Sequence, residues 1–400
     1  MNNKPNIAII VIDTLRKDTF DKMQEEENRL EGLGKLMLFE KCIAPASWTL
    51  PSHASLFTGL YPSQHGAHET KTVKSLDIEH IKLKIPTFVS ELNNQKYNTY
   101  CISANPYVDP IYGFDEFKEF KAESYFTSVF GSVFEIAEDL KPKIAKYRNL
   151  YETDIFKISK AMLKEDPNLF FETAFSALRF TPKSALFKAK AKLIDGWPIE
   201  KGGKKIARRV EETSYKKPFF LFINLMEAHN PYIGKKGKDM NWATSFQKEP
   251  VDKRLVDTWY RLYKKASEKG YDYAAAIAQS LLERYDNLLV IITSDHGQAF
   301  NEHGFIGHGT MLYDEIVRVP VALISSQELG LEEVQKKHHQ SLVNIRKFLE
   351  GVIARKKDST KLLYGNVYSE SFGMPSNVDE TKIDMKKLAK YDRYMIRKFD

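Results

Sequence analysis

Short, continuous apolar runs rich in Ile, Val, Leu and Phe recur along the chain, separated by longer stretches with helical periodicity. Runs that are apolar at every position are typical of strands buried on both faces of a parallel sheet. The predicted strands are residues 6–12, 99–104, 219–225, 288–293 and 319–325. Helical patterns lie between them, for example at 86–93, where Pro86 suits the first turn, and at 273–284. This alternation predicts an α/β fold with a mostly parallel sheet sandwiched by helices.

Residues of about 120–215 break this rhythm. The stretch is rich in Lys, Phe, Tyr and Ala, has helical segments at 155–164 and 169–180, and contains few β-branched runs. It predicts a helical insertion into a catalytic domain that spans residues 1–325. The basic end of the insertion, residues 201–209 (KGGKKIARR), has two interpretations. It is either a solvated, flexible connector or a lid that rests on an anionic or lipid substrate.

The last part of the chain differs in character from the catalytic domain. A charged helix is predicted at 331–356, followed by strands at 363–370 and 394–398. These elements predict a small C-terminal α+β subdomain at 326–400.

Composition narrows the class of protein only slightly. The formal net charge of +7 fits a lysine-rich surface or attraction to an anionic substrate, lipid or other polyanion. No nucleic-acid-binding module is recognisable, so nucleic acid is not an expected partner. Cys42 and Cys101, the two cysteines, form no metal or disulfide pattern. The apolar runs are too short to span a membrane, and a cytoplasmic location is predicted.

Polar residues follow three of the predicted strands directly. They are Asp13 after the first strand, Glu227 and His229 after 219–225, and Asp295 and His296 after 288–293. In open parallel sheets the carboxyl ends of the strands form the ligand-binding edge. A single acid at this place is often only a helix cap, but three strands with the same feature form a pattern. Two Asp and one His at these positions are a reasonable ligand set for a divalent metal.

A second group of interest is the segment TLPSH at residues 49–53. Pro51 suits the first turn of a helix, and Thr49 or Ser52 is the predicted cap. The amides and dipole of that helix would favour a negative group beside Thr49, such as a threonine alkoxide or a bound phosphate. A plain helix cap is the simpler interpretation of Thr49, but it does not explain the rest of the segment.

Taken together, these residues resemble the alkaline phosphatase/sulfatase superfamily, and specifically its sulfatase branch. Five blocks occur in the order typical of that family and cover residues of about 5–325 outside the insertion. The blocks are IVIDTLRKD (10–18), TLPSHASLFTGLYPSQHG (49–66), NLMEAHNPY (224–232), SDHGQAFNEHGFIGHG (294–309) and LYDEIVRVP (312–320). The combination is specific, whereas each block alone would be weak.

Four positions depart from the sulfatase pattern. Thr49 stands where sulfatases have the cysteine that becomes formylglycine, and His53 stands where their signature has an arginine. Thr14 replaces a second metal-binding Asp, and His308 replaces a common lysine. The phosphate-handling relatives use threonine and histidine at the first and last of these positions. The departures favour phosphorus over sulfur as the atom attacked.

The resemblance implies a concrete site. Asp13, Thr49, Asp295 and His296 would hold one divalent metal, whose identity among Mn, Zn, Mg and Ca stays open, as does a second metal. Thr49 would be the nucleophile and form a covalent phosphothreonine. The remaining predicted roles are His308 and His229 as groups that bind substrate oxygens or protonate the leaving oxygen, and His53, Glu227, His68 and Asn105 as substrate-binding residues.

Three functions are compatible with this site. The first is a metal-dependent hydrolase of phosphate-type esters, or a phosphoryl transferase of the same chemistry, acting on an anionic substrate. The second is a sulfatase that works without formylglycine. The third is an inactive sulfatase-like binding protein, which the complete set of site residues disfavours.

Overall fold

The structure is a computed structural model, and it divides into two compact units. One unit comprises Met1–Lys121, Ile199–Tyr232 and Asp239–Asp400, and the other comprises Ala122–Pro198 and Ile233–Lys238. The described residues are 4–70, 83–105, 107–108, 112–120, 143, 147, 155–175, 193, 200–232, 240, 245–246, 251–326, 329, 331–332, 338–374 and 383–400.

The predicted sheet is present in the first unit, with bounds close to those read from the apolar runs. The strands of the described part of the chain are β1 Asn6–Ile12, β2 Lys35–Leu38, β3 Cys42–Ile43, β4 Asn98–Ser103, β5 Glu116–Glu119, β6 Phe219–Leu225, β7 Leu288–Thr293, β8 Ala299–Phe300, β9 Ile306–Gly307, β10 Arg318–Val319, β11 Val321–Ser325, β12 Gln340–Ser341, β13 Val367–Phe372 and β14 Tyr394–Phe399. The helices are α1 Lys17–Glu27, α2 Thr49–Thr58, α3 Pro62–His65, α4 Phe88–Asn94, α5 Ile155–Glu165, α6 Gly203–Glu212, α7 Lys253–Arg284, α8 Asp314–Val317, α9 Ile345–Ile353 and α10 Met385–Ala389.

The main sheet has seven strands in the order β2-β11-β7-β1-β6-β4-β5. The strands from β7 to β5 run parallel to their neighbours, whereas β11 is antiparallel to β7 and β2 is antiparallel to β11. The mostly parallel α/β fold is therefore confirmed. The run at 319–325 is split at Pro320 between β10 and β11, because proline has no amide hydrogen to donate to the ladder.

Helices cover both faces of this sheet. The odd-numbered residues of β1, such as Ile9, belong to a core that includes Phe57 of α2, Phe88 of α4 and Phe348 of α9. On the opposite face α7 approaches so closely that a Cβ at Gly270 would lie 3.0 Å from Ile12 Cγ2. Both faces of the central strands are thus buried, which explains their continuous apolar sequences.

The register of the parallel strands brings their carboxyl ends together. Val11 of β1 pairs with Asn224 of β6 and with Thr293 of β7. The residues that follow these strands therefore emerge at one edge of the sheet. Asp13 extends the pairing by one further bond, because its N–H donates to the carbonyl of Leu225.

Several predicted elements differ from the structure. The helix predicted at 331–356 is wrong in its first part, where Gln340–Ser341 is a strand and Leu342–Asn344 a 3-10 helix, so that α9 begins only at Ile345. His338 and His339 accordingly lie outside any helix. The helix predicted at 86–93 begins at Phe88, because the Thr87 side chain caps it by accepting from Ser90 N–H. The pattern at 273–284 is the last part of the 32-residue α7.

The insertion is described only in part. Helix α5 agrees with the predicted segment at 155–164, and residues 167–175 are helical, whereas 176–180 of the predicted second helix lie outside the described residues. Residues 199–215 belong to the unit that contains the sheet. There 203–212 form α6, so the flexible connector predicted at 201–209 is wrong.

The C-terminal elements belong to the same unit as the sheet. The two predicted strands are present as β13 and β14 and pair antiparallel, from Val367 opposite Phe399 to Phe372 opposite Tyr394. Cys42 and Cys101 are buried free thiols. Among the described helices, none is both long and apolar enough to cross a membrane.

Candidate active site

The carboxyl ends of β1 and β7 bring together three potential metal ligands, Asp13, Asp295 and His296, which are named the metal group. One ligand atom from each of Asp13, Asp295 and His296 lies within 4.8 Å of the others, and all three residues are buried. His296 Nε2 is 3.4 Å from Asp295 Oδ2 and 3.9 Å from Asp13 Oδ1. The sequence predicted this group from strand ends alone, and the register of β1 and β7 explains why it forms.

The polar atoms of this group fit a divalent cation. Asp13 Oδ1 and Asp295 Oδ2 are buried and have no hydrogen-bond partner among the described residues, although such groups are normally paired. The Nδ1–H of His296 donates to the carbonyl of Gly297 at 2.9 Å. Nε2 of the neutral ring therefore carries no hydrogen and has a free lone pair. A ring anchored in this way is typical of metal-bound histidine, and a mixed oxygen and nitrogen set suits a divalent metal.

Thr49 lies against the same group, at the first residue of α2. Its Oγ1 is 3.4 Å from Asp13 Oδ2 and 3.4 Å from His296 Nε2. The predicted side-chain cap is wrong: Trp48 is the N-cap residue, and no side chain caps the helix. Ser52 instead donates its hydroxyl to the carbonyl of Asp295 at 2.8 Å. The hydroxyl of Thr49 therefore lies beside the three potential metal ligands, at the positive end of the helix dipole.

Hydrogen bonds from backbone amides of the turn after β1 to side chains of the turn after β7 hold the two turns together. Thr14 adopts a φ of 61°, which is unusual for a β-branched residue, and its N–H donates to Asp295 Oδ1 at 3.3 Å. The next amide, Leu15 N–H, donates to Ser294 Oγ at 2.9 Å. These bonds hold the two carboxylates on a rigid frame, and a strained residue at such a place is a common feature of active sites.

The site is strongly unfavourable for two negative charges. Burial, and then the charge of Asp295, raise the pKa of Asp13 well above its usual value. Hydrogen bonds from Asn105 and Thr49 oppose this shift. Two buried carboxylates so close together require a compensating positive charge, which is a further reason to expect a cation here.

Asn105 touches this group directly, after strand β4. Its Nδ2 donates to Asp13 Oδ2 at 2.5 Å, and its Oδ1 accepts from Tyr107 N–H at 2.8 Å. The amide is therefore fixed with its donor facing Asp13. Asn105 therefore orients the carboxylate of Asp13, whereas the sequence predicted that Asn105 contacts the substrate.

His229 and His308 lie beside the metal group, with their ring centroids 5.1 Å apart. The His308 centroid is also 4.5 Å from that of His296. Loss of solvent around the ring is the main cause that lowers the pKa of His229 to about 4 and that of His308 well below its usual value. Both histidines are thus neutral near pH 7.

Hydrogen bonds select the tautomer of these two rings. His229 Nδ1–H donates to the carbonyl of Asn230 at 2.7 Å, and His308 Nδ1 is 2.5 Å from Gln298 Oε1. In each neutral ring Nε2 is consequently a lone pair that accepts a proton or a hydrogen bond. In this state either histidine can protonate a leaving oxygen only after its Nε2 has itself accepted a proton.

His53, predicted as substrate-binding, is fully buried behind Thr49. Its Nδ1–H donates to the Thr49 carbonyl at 2.9 Å, and its Nε2 faces Asn224 Nδ2 at 3.4 Å. Nδ1 is also 3.6 Å from Asp295 Oδ2. Since both ring nitrogens have partners inside the protein, the placement favours support of the Thr49 turn over contact with a substrate.

Glu227 and His68 have their contacts with α6 and with the segment around Phe372, respectively. The buried Glu227 carboxylate accepts from Gly203 N–H at 2.8 Å, at the start of α6. The His68 ring stacks on Phe372 with centroids 3.5 Å apart, and its Nδ1–H donates to the Glu69 carbonyl. Neither placement supports the substrate-binding role predicted from the sequence.

Two residues near the site were missed by the sequence analysis. Gln298 sets the tautomer of His308, and Lys201 donates to the backbone carbonyls of Glu227 and His229. Gln298 lies within the fourth sequence block and could have been suspected. Lys201 belongs to a basic run that is indistinguishable in sequence from a solvated surface.

The chain resembles known proteins along most of its length. The profile of the family "Type I phosphodiesterase / nucleotide pyrophosphatase" matches residues 7–379. A relative described as an uncharacterised sulfatase, YidJ of Escherichia coli (strain K12), is 26% identical over 136 residues. That alignment covers 28% of this chain and only 27% of the relative, so the likeness spans about a quarter of that protein.

Solved structures share the fold at low sequence identity. A 2-O GAG sulfatase has a TM-score of 0.56 at 15% identity, covering 93% of this chain and 78% of that one. A phosphonate monoester hydrolase from Silicibacter pomeroyi has a TM-score of 0.57 at 13% identity, with coverages of 99% and 85%. On the extent of the family match, this chain belongs to the type I phosphodiesterase / nucleotide pyrophosphatase family, and with it to the alkaline phosphatase superfamily of phosphate- and sulfate-ester hydrolases.

Proposed function

We propose that this protein hydrolyses phosphate-type esters through a covalent phosphothreonine at Thr49. The observation that carries the proposal is the position of the Thr49 hydroxyl, 3.4 Å from both Asp13 and His296 at the N-terminus of α2. Threonine at this position excludes the formylglycine chemistry of a cysteine-dependent sulfatase. The substrate is anionic, and the class proposed comprises phosphomonoesters, phosphodiesters and phosphonate esters.

Asp13, Asp295 and His296 would hold the divalent metal, together with the Thr49 hydroxyl. Such an ion lowers the pKa of a hydroxyl and offsets negative charge on ester oxygens. The protein's own contribution is to hold the hydroxyl in place. The Ser52 hydroxyl bonds to the carbonyl of Asp295 and so fixes the start of α2, which carries Thr49, to the turn after β7. The His53 ring bonds to the carbonyl of Thr49 itself.

The first step joins Thr49 Oγ1 to phosphorus and breaks the bond from phosphorus to the leaving oxygen, while the proton of the Thr49 hydroxyl passes to a histidine Nε2 and then to the leaving oxygen. In the second step a water oxygen bonds to phosphorus and the bond to Thr49 breaks. A proton from that water passes to a histidine Nε2 and then to the Thr49 oxygen. His308 and His229 suit this acceptor role, because both are neutral with Nε2 as the lone pair.

Variants of Thr49 test this proposal. With p-nitrophenyl esters of phosphate, a phosphodiester, a phosphonate and sulfate, we expect the phosphorus esters to be cleaved faster than the sulfate. Thr49→Ser should retain part of the activity, because it keeps a hydroxyl, and Thr49→Ala should lose it by a factor on the order of 1,000 or more. Intact-protein mass spectrometry should detect a phosphoryl group on Thr49 after an acid quench.

Thr258→Ala, which removes a hydroxyl on α7 that bonds to the Arg254 carbonyl, is the matched control and should keep full activity. An active Thr49→Ala variant would exclude Thr49 as the nucleophile. Faster turnover of the sulfate ester would favour the sulfatase alternative. The cytoplasmic location stays a prediction.

A further inference from the structure

The turn that precedes α6 packs tightly against Glu227. Glu227 Oε1 accepts from Gly203 N–H at 2.8 Å and lies 3.4 Å from Lys201 N. Gly202 has a φ of 118°, and a Cβ there would lie 2.3 Å from the carbonyl oxygen of Phe120. A Cβ at Gly203 would lie 2.6 Å from Glu227 Oε1. The two glycines are thus required for the turn to approach Glu227, and they fix the backbone directly after Lys201.

Lys201 is buried, although it lies in the most basic run of the chain, with only 3% of its surface exposed. Its Nζ donates to the carbonyl of Glu227 at 2.8 Å and to the carbonyl of His229. The ammonium also lies over the ring of Tyr232, 5.2 Å from the centroid. A buried lysine is costly to maintain, so its contacts call for an explanation.

These contacts of the ammonium fall on one loop, Met226–Tyr232, which follows β6. The loop is closed at its start by the bond from His229 N–H to the Met226 carbonyl at 3.1 Å. At its end the Tyr232 hydroxyl donates to the Ala228 carbonyl. Lys201 is the group that ties the middle of the loop to a different element, the turn before α6.

We propose that Lys201 is a positioning residue whose buried ammonium fixes the loop Met226–Tyr232 and thereby places the His229 ring beside His308. The inference rests on the proposed function in one respect, because that function gives His229 a part in the reaction. Lys201 itself contacts backbone carbonyls and need not touch the substrate. A displacement of about 1 Å in a reacting group can reduce a rate on the order of 100-fold.

The buried contacts of Lys201 distinguish it from the neighbouring lysines of α6. The side chains of Lys204 and Lys205 are exposed, so neither is expected to hold the loop.

Lys201→Met is the first test, because methionine fills much of the same volume without the ammonium. With the metal-loaded full chain and an aryl phosphate ester, we expect kcat to fall roughly 10- to 100-fold while KM changes much less. In nitrogen-15 histidine spectra the His229 ring signals, assigned with a His229→Gln variant, should shift. Lys205→Met is the matched control and should change neither kcat nor these signals.

Lys201→Ala provides a second test through rescue by a small amine. Ethylammonium should restore part of kcat and return the His229 signals toward those of the wild type, because it replaces the missing donor. Equal restoration by neutral propanol would overturn the proposal, since the positive charge of the ammonium would then be dispensable. A Lys201→Met variant with wild-type kcat and unshifted His229 signals would also overturn it. If the wild-type protein cleaves no ester, the proposed function fails, while the histidine spectra still decide the role of Lys201.

Discussion

At the scale of single residues, Glu227 has the most informative environment outside the metal group. Its carboxyl is buried, and its Oε2 has no hydrogen-bond partner among the described residues. Burial, followed by the charge of Glu200, raises its pKa to about 7. A carboxyl with a raised pKa favours the folded state in its protonated form. The stabilisation is complete below about pH 4.5 and is lost as the pH rises through 7.

Glu227→Gln should remove this pH dependence, because glutamine keeps an acceptor for Gly203 N–H and carries no charge. We expect the variant to match the wild type near pH 4.5 and to exceed its unfolding free energy by roughly 1–3 kcal/mol at pH 8. Urea unfolding at both pH values measures the difference. Glu211→Gln, at an exposed carboxylate on α6, is the control and should leave the pH dependence unchanged. A difference that is the same at both pH values would contradict the prediction.

At the scale of elements, the start of α6 packs against Glu227, which follows strand β6 at the edge of the sheet that carries the site. The helix presents Gly203, Ile206 and Val210 to the interior and its charged residues to solvent. The Glu227 carboxyl accepts from the backbone amides of Lys201, just before the helix, and of Gly203, its first residue. Packing of this kind leaves no room for a side chain at Gly203, where a Cβ would lie 2.4 Å from Tyr273 Cδ2.

Gly203→Ala should therefore destabilise the protein by about 1–3 kcal/mol, because the Tyr273 ring and the Glu227 carboxyl must both move. Thermal unfolding monitored by circular dichroism measures the change. Gly365→Ala is the control, since a Cβ there meets only Asn344 Nδ2 at 3.5 Å and should alter stability by less than about 0.5 kcal/mol. Equal melting temperatures for the two variants would show that the turn is more adaptable than the structure indicates.

At the scale of the whole molecule, the metal group links two distant parts of the chain through the centre of the sheet. Asp13 and Asp295 approach each other because β1 and β7 are adjacent and parallel. Without a cation the two buried carboxylates oppose folding, since the pKa of Asp13 is raised and its ionised form is disfavoured. A bound divalent metal should therefore stabilise the fold through mass action.

Asp13→Asn tests this link. At pH 8 the metal-free variant should melt at a higher temperature than the metal-free wild type, because one buried negative charge is gone. Added divalent metal should raise the melting temperature of the wild type and leave that of the variant nearly unchanged. Asp257→Asn, at an exposed position on α7, should behave like the wild type. A variant that still responds to metal would exclude Asp13 as a ligand.

Much of the fold and the centre of the site could be predicted from the sequence. Apolar runs gave the central strands because residues buried on both faces leave a continuous pattern. Segments whose structure depends on partners elsewhere in the chain were predicted less well. The pattern at 331–356 contains enough helix-forming residues to resemble one helix, yet Gln340–Ser341 pairs with β3. That pairing depends on a strand roughly 300 residues earlier in the chain, and local preference cannot reveal it.

The sequence by itself determined that Asp13, Asp295 and His296 meet, because residues that follow parallel strands must emerge at the same edge. It also singled out Thr49 at the start of a helix. Only the tertiary structure decided the direction of the other side chains. It turned His53 inward and Glu227 toward α6, and it buried Lys201 beneath the His229 loop. Such choices depend on contacts between segments far apart in the chain, where the type and spacing of residues carry no signal.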